Sequence, residues 1–302
     1  MTSFARGLSE AQWTGLRALR AMPSGSWWDD LLSLWVPSGH PSGDDGLRLT
    51  IRNGYLNFYR RGQSVARVCF GPPRGGMAVP RMEIHARYVE GPSARATYLR
   101  FGADGRDPPD RFTLRAWIAN TARWHGAEKW GVDEVVGRNP GVIDLEMGIP
   151  GSALRVDIVA LEGGPTGPRL TLWEAKPLDA GALRARVMAP NIVEQMKGYR
   201  EFCERAAGVL ESAYRAHCAA LIEFANWAGK ADQISPLVAE ARTRLSLNPE
   251  VGLVVFRGVR CDAYGRRELV PYAANWSTHR ARLAGVTLRE AEDPADLELS
   301  PA

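Results

Sequence analysis

Two charged residues stand two positions apart in an otherwise apolar stretch, LTLWEAKPLD, which runs from Leu170 to Asp179. Side chains at positions i and i+2 of a β-strand point the same way, so a strand here places Glu174 and Lys176 on one face. Burying both charges costs several kcal/mol unless other groups compensate them. A metal ion and a phosphate group would provide that compensation, so the stretch indicates metal or phosphate chemistry.

A third charged residue is brought to the same place by the segment GGPTGP, Gly163 to Pro168, which predicts the turn of a hairpin. Symmetric pairing about this turn places Asp157 opposite Glu174. Opposed carboxylates repel each other, so we expect a divalent cation between them, with Lys176 holding a water or phosphate oxygen beside it. Mg²⁺ prefers such hard oxygen ligands, and Mn²⁺ would substitute for it.

A polar pair follows in the segment VEQMKGYREF, where Gln195 and Tyr199 are four residues apart. On a helix this spacing puts both side chains on one face, whereas Lys197 points elsewhere. We therefore expect Gln195 and Tyr199 to meet.

Taken in order, Asp157, the Glu174-Ala175-Lys176 triplet and Gln195-x-x-x-Tyr199 resemble the motifs of the PD-(D/E)XK, or restriction endonuclease-like, nuclease superfamily, in its branch with a QxxxY motif. The resemblance implies a catalytic set made of these residues. Its two carboxylates would ligate Mg²⁺, and its lysine would help to activate the attacking water or stabilise charge on the scissile phosphate. The glutamine and the tyrosine would line the site.

Members of this family commonly carry a further metal-binding glutamate on the first core helix. Glu128 is the best match, Glu134 the second, and Glu146 on the next strand the third. The sequence departs from the named motif at Val156, where the proline would stand, but the Asp, the Glu and the Lys remain.

The order of elements agrees with this resemblance. A helix is predicted from Arg111 by apolar residues at helical spacing, and three strand-like runs follow it. A long helical region, broken once or more, is then expected from about Val187 to Trp227, before the buried strand VGLVVF. The predicted fold class is α/β, with an αβββαβ core whose mixed central sheet is flanked by helices, as in the restriction endonuclease-like fold. The inner stripe of the first helix would consist of Leu114, Trp117, Ile118 and Trp124.

Composition changes along the chain suggest three parts. Residues 1–110, rich in Gly and Pro, are expected to form a small β-rich lobe of unassigned role, with a helix from about Glu10 to Ala21 and hairpin turns at Asn53-Gly54 and Arg61-Gly62. Residues 111–285 would form the nuclease-like domain. Residues 286–302 are acidic and are expected to be a flexible tail.

Composition also limits the class of protein. The 302 residues are 45% apolar and 24% charged, with a formal net charge of +4, which is typical of a globular protein and permits a polyanionic partner. No apolar run is long enough for a membrane helix and no secretory signal is evident, so we expect a cytoplasmic protein. The four cysteines form no CxxC pair, and the five histidines have no metal-binding spacing.

The resemblance therefore predicts a Mg²⁺-dependent phosphodiesterase, an endonuclease or exonuclease, acting on nucleic acid in bacterial defence or DNA processing. DNA is favoured over RNA, and a homodimer is compatible with cutting both strands. For duplex DNA, phosphate contacts are expected from Arg184, Arg186 and Arg200; for single strands, stacking is expected on Tyr55, Tyr59 and Trp124.

Two other interpretations remain open. The protein could be a catalytically inactive nucleic-acid-binding or sensor protein that keeps the nuclease fold. Alternatively, Glu174 and Lys176 could be an exposed pair on the solvated face of a sheet, with Trp173 and Ala175 facing the core.

Overall fold

The computed structural model describes residues 4–23, 25–37, 46–94, 97–103, 105–124, 126–183, 191–261, 267–269, 276–283 and 285–299. The chain is a mixed α/β protein that divides into two compact units. The N-terminal unit consists of Ala5–His125 and Ala216–Ile234. The C-terminal unit consists of Met1–Phe4, Gly126–Arg215 and Ser235–Ala302.

The N-terminal unit begins with two helices, α1 (Glu10–Arg20) and α2 (Trp27–Leu34). The start of α1 is fixed by a capping box, in which the Ser9 hydroxyl accepts the backbone N–H of Gln12 and the Gln12 side chain accepts the backbone N–H of Ser9. The end of α2 is held by Lys230, whose ammonium group donates to the carbonyls of Leu32, Ser33 and Trp35. The helix predicted near Glu10 to Ala21 is therefore confirmed.

A five-stranded antiparallel sheet forms the rest of this unit. Its strands are β1 (Arg48–Arg52), β2 (Tyr55–Arg60), β3 (Gln63–Phe70), β4 (Pro80–His85) and β5 (Tyr98–Gly102), and they pair in that order. The predicted hairpin turns are confirmed: Gly54 and Gly62 both have positive φ angles, 80° and 65°, which glycine adopts without steric cost. The short helix α3 (Ala86–Val89) follows β4, and α4 (Arg111–Asn120) follows β5.

The C-terminal unit contains a mixed sheet. Its strands include β6 (Val142–Gly148), β7 (Arg155–Glu162) and β8 (Arg169–Pro177), which are antiparallel neighbours, as predicted from the three strand-like runs. The spatial order is β13-β10-β8-β7-β6, and β10 (Gly252–Phe256) runs parallel to both β8 and β13 (Thr287–Ala291). The two-residue strand β9 (Ser246–Leu247) also pairs with β8.

The remaining elements of this unit surround the sheet in sequence. They are α5 (Ala127–Arg138), α6 (Asn191–Ala228), α7 (Pro236–Ala241), β11 (Val259–Cys261), β12 (Arg267–Leu269) and α8 (Trp276–Arg280). Of α6, residues 191–215 belong to the C-terminal unit and 216–228 to the N-terminal unit. Among the described residues, no helix is both long and apolar enough to cross a membrane.

Three predictions about elements need correction. The helix expected from Arg111 through Trp130 is two helices, because the chain turns through a 3₁₀ segment at Thr121–Arg123 and restarts after Gly126. Consequently α4 belongs to the N-terminal unit, and the division lies at 125/126 instead of 110/111. The α6 helix is unbroken over 38 residues, since no proline interrupts it and its glycines are tolerated.

The expected flexible tail, residues 286–302, also contains regular structure. Its residues Thr287–Ala291 form β13, which pairs in parallel with β10 along its full length. Leu297 and Leu299, further along, are buried. The acidic residues of this segment misled the prediction, because the apolar residues between them bury themselves at the edge of the sheet.

Candidate active site

The two charged residues of β8 form a buried ion pair. The ammonium nitrogen Nζ of Lys176 lies 2.6 Å from Oε1 of Glu174, which confirms that the strand period puts both on one face. Glu174 is only 1% exposed, and Trp173 and Ala175 on the opposite face are buried as well. The interpretation of an exposed pair on a solvated sheet face is therefore wrong, because neither face of β8 is open to solvent at this point.

Asp157 joins this pair at the point where β7 and β8 separate. The hairpin has the predicted register, with Ile158 opposite Trp173, and the ladder ends there. One residue beyond, Asp157 Oδ2 accepts the backbone N–H of Ala175 at 2.9 Å and lies 3.4 Å from Lys176 Nζ. A side-chain carboxylate thus takes the place of a backbone acceptor at the end of the hairpin, beside the charged pair.

A third carboxylate reaches Lys176 from α5. Glu128 stands in the first turn of this helix, not near the end of a longer one as predicted, and its Oε1 is 3.2 Å from Lys176 Nζ. Gly131 lets α5 approach β10 closely, because a Cβ atom at this position would lie 2.1 Å from the ring of Phe256. This approach brings the first turn of α5 toward β8.

The two alternative glutamates have other partners. Glu134 accepts the indole N–H of Trp130 at 2.8 Å. Glu146 pairs with Arg155 at 2.7 Å and lies 3.8 Å from Lys129. Of the three glutamates considered from the sequence, Glu128 is the one that contacts Lys176.

Gln195 and Tyr199 meet on α6, as their spacing predicts, and both contact Glu174. Gln195 Nε2 donates to Glu174 Oε1 at 2.8 Å and lies 2.6 Å from the Tyr199 hydroxyl. That hydroxyl is 2.7 Å from Glu174 Oε2 and also contacts the carbonyl oxygen of Arg155. Tyr199 is fully buried. These two residues therefore orient the carboxylate of Glu174 from the side opposite to the bulk of the strand.

The site holds more negative charge than its single ammonium group compensates. Burial, followed by the carboxylate of Glu174, raises the pKa of Asp157 to about 7. Burial alone would lower the pKa of Lys176, but the carboxylates of Asp157 and Glu174 outweigh it and raise this pKa. Burial and the Glu174 carboxylate also raise the pKa of Tyr199, so its hydroxyl stays protonated.

The donors around Lys176 suit a hard divalent cation in type and charge. Among the described residues, no group of three or more His, Cys, Asp or Glu side chains is arranged to hold a metal ion. The cation at the centre of Asp157, Glu174 and Glu128 is instead the Lys176 ammonium. Carboxylate oxygens are the ligands that Mg²⁺ prefers, and the excess negative charge is what a divalent ion would balance.

Two backbone groups contribute to the site without any signal in the sequence. The carbonyl oxygen of Arg155 contacts Tyr199, and the N–H of Ala175 binds Asp157. Every residue carries such groups, so only the end of the β7–β8 ladder determines which of them are available. Of the arginines expected to contact phosphate, Arg200 is exposed on α6, whereas Arg184 and Arg186 lie outside the described residues.

Comparison of the chain with protein-family models, curated proteins and solved structures finds no match. Any assignment of function therefore depends on the geometry around Lys176 and on the motif resemblance.

Proposed function

We propose that the protein is a metal-dependent nuclease that hydrolyses phosphodiester bonds in nucleic acid, with DNA favoured over RNA. The observation that carries this proposal is the convergence of Asp157, Glu174 and Glu128 on the ammonium of Lys176. The order α5, β6, β7, β8, α6, β10 also corresponds to an αβββαβ core of the restriction endonuclease-like kind. Both features come from residues far apart in the sequence that meet in the C-terminal unit.

The carboxylates would hold the metal. Asp157 and Glu174, with Glu128 as a third ligand, supply the hard oxygens that Mg²⁺ or Mn²⁺ binds. When bound, the ion supplies a Lewis acid for the phosphate and lowers the pKa of a water molecule. The remaining work of the site belongs to the side chains of the chain itself.

Lys176 supplies the positive charge of the protein at the reacting group. Its ammonium stays protonated, because the neighbouring carboxylates raise its pKa, and it is 14% exposed. A charge held in a dry site stabilises negative charge that develops on a phosphate more than the same charge in water. Lys176 is therefore expected to contribute to the rate more than to substrate binding.

Gln195 and Tyr199 act as positioning residues in this proposal. Their hydrogen bonds to both oxygens of Glu174 hold its carboxylate in one orientation. Carboxylate ligands that bind a metal are commonly hydrogen-bonded in this way, and losing such partners weakens metal affinity. Their substitution should therefore raise the metal concentration needed for half-maximal activity.

The test is cleavage of supercoiled plasmid, linear duplex DNA, single-stranded DNA and RNA in Mg²⁺, in Mn²⁺ and in EDTA. Wild-type protein should cut at least one substrate in metal and none in EDTA. Lys176→Ala and Glu174→Gln should each lower the rate by about a hundredfold or more. Sedimentation of the same samples shows whether cutting requires a dimer.

Two matched variants serve as controls. Lys129→Ala removes a lysine from the same unit that contacts Glu146 and not the Lys176 cluster, and Glu162→Gln changes a buried carboxylate that binds Trp173 at the other end of the hairpin. Both should cut like wild type. Cleavage that persists in Lys176→Ala, or its absence from every substrate with folded wild-type protein, would contradict the proposal and favour an inactive nucleic-acid-binding protein.

A further inference from the structure

The sheet of the N-terminal unit has one apolar face and one polar face. Its core face is formed by alternate residues that are fully or almost fully buried, namely Leu56, Phe58, Val68, Met82 and Ile84. The register places the intervening residues in rows on the opposite face, so that Arg67 stands beside Glu83, and Glu83 beside Arg100. We call the group Tyr55, Arg67, Arg81, Tyr98 and Arg100 the arginine–tyrosine face.

This face carries excess positive charge. Glu83 Oε1 is shared by two arginines, lying 3.6 Å from Arg81 Nε and 3.3 Å from Arg100 Nε. Glu83 is thus one carboxylate among three guanidinium groups. Arg100 is 63% exposed. Three cations against one anion leave a positive surface that favours an anionic partner.

Arg67 is held by aromatic rings and not by a carboxylate. Its guanidinium carbon lies 4.3 Å from the centre of the Tyr98 ring and 5.8 Å from that of Tyr55. Its Nε atom is buried without a hydrogen-bond partner among the described residues, and so is that of Arg81. Stacking therefore fixes the plane of Arg67 while leaving its charge uncompensated.

Tyrosine rings complete the surface. Tyr55 and Tyr98 are both half-buried, and Tyr98 packs edge-on against His85, with ring centres 5.3 Å apart. Tyr59, which the sequence also suggested for stacking, is buried and is therefore unavailable. The face thus combines guanidinium groups, which suit phosphates, with aromatic rings, which suit bases.

We propose that the arginine–tyrosine face binds a single strand of nucleic acid. Unpaired bases can stack on exposed tyrosine rings, whereas the bases of a duplex are already stacked and present only their edges. The three arginines would contact successive phosphates. This binding involves residues of the N-terminal unit alone and needs neither a metal ion nor cleavage, so it does not depend on the proposed hydrolysis.

The experiment is fluorescence anisotropy of the full chain with a labelled single-stranded oligonucleotide of about 12 nucleotides, in EDTA, at several salt concentrations. Wild type should bind the single strand more tightly than a duplex of the same sequence. Arg67→Ala and Arg100→Ala should each weaken binding about fivefold and reduce the slope of log affinity against log salt by about 0.7, the value for one phosphate contact on a single strand.

Aromatic and charge controls separate recognition from general damage. Tyr55→Leu should weaken binding, whereas Tyr55→Phe keeps the ring and should leave it unchanged. Arg17→Ala removes an arginine of similar exposure from α1, which pairs with Glu10, and should have no effect. Circular dichroism confirms that each variant is folded.

The proposal is overturned if the folded wild type does not bind the single strand, if it prefers the duplex, or if both arginine variants bind as tightly as wild type. Because the assay contains no metal, these outcomes are independent of the cleavage test. Binding without cleavage would leave this surface intact and reject the nuclease, and the reverse result would do the opposite.

Discussion

The ammonium nitrogen of Lys176 lies 2.6 Å from a carboxylate oxygen of Glu174, and this ion pair joins two residues of one buried strand. The charged groups of Asp157 and Glu128 also lie within 3.4 Å of the same nitrogen. Removing one member of a buried charged group leaves the others uncompensated, which is costly. Four charged residues therefore depend on one another for stability as well as for the proposed chemistry.

Lys176→Met should destabilise the metal-free protein, because it leaves the buried carboxylate of Glu174 without its cation. We expect a loss of about 3 kcal/mol in the free energy of unfolding, measured by urea titration in EDTA at pH 8. Lys129→Met is the matched control: Lys129 is 44% exposed and 3.8 Å from Glu146, so its loss should cost less than about 1 kcal/mol. Equal effects of the two variants would show that Glu174 does not need Lys176.

Tyr199→Phe should cost about 1 to 2 kcal/mol, because it removes the hydroxyl that hydrogen-bonds to buried Glu174. In a Glu174→Ala background the same change should cost less, with a coupling of about 1 kcal/mol in a double-mutant cycle by urea unfolding. Tyr214→Phe makes the same change on α6 at a hydroxyl that bonds to Asp144, and its effect should add to that of Glu174→Ala. Additive effects for Tyr199 would argue against its positioning role.

Gly131→Ala should destabilise the protein by about 2 to 3 kcal/mol, since the new Cβ would lie 2.1 Å from the Phe256 ring. Gly208→Ala is a helical glycine in α6 with open space around its Cβ position, and it should be stabilising by up to about 1 kcal/mol. Thermal or urea unfolding checks both. A tolerated Gly131→Ala would mean that α5 can retreat from β10, and the contact between Glu128 and Lys176 would then have no fixed support.

Cys203 and Cys218 should resist alkylation in the native state. Burial raises the pKa of each thiol to about 12, and it also raises the pKa of Cys69 to about 11. At pH 8 only about one in ten thousand of the Cys203 and Cys218 side chains is then the reactive thiolate, a fraction that grows tenfold with each pH unit below 12. Iodoacetamide labelling followed by peptide mass spectrometry measures this, with urea-unfolded protein as the control. Rapid labelling of either residue at pH 8 in folded protein would show that it is accessible.

Local patterns were sufficient for the part of the site that lies within one hairpin. The strand period put Glu174 and Lys176 on one face, and the turn at Gly163 to Pro168 set the register that brings Asp157 beside them. Helical spacing likewise made Gln195 and Tyr199 neighbours. These relations hold because they involve residues close in sequence, whose geometry follows from regular backbone dihedrals.

Other features depended on contacts between distant segments. The sequence did not reveal that the helix after Arg111 breaks and that Glu128 starts a new helix, or that an acidic C-terminal segment forms β13. Nor did it show that Gln195 and Tyr199 bond to Glu174.

The sequence by itself determined which side chains share a face and which carry charge in an apolar strand, because both follow from local periodicity. Only the tertiary structure decided that α5 and α6 bring Glu128, Gln195 and Tyr199 to β8, and that the β7–β8 ladder ends beside Asp157. Those outcomes follow from the close packing of the helices on the sheet and from the hydrogen bonding of buried polar groups, which no single segment specifies.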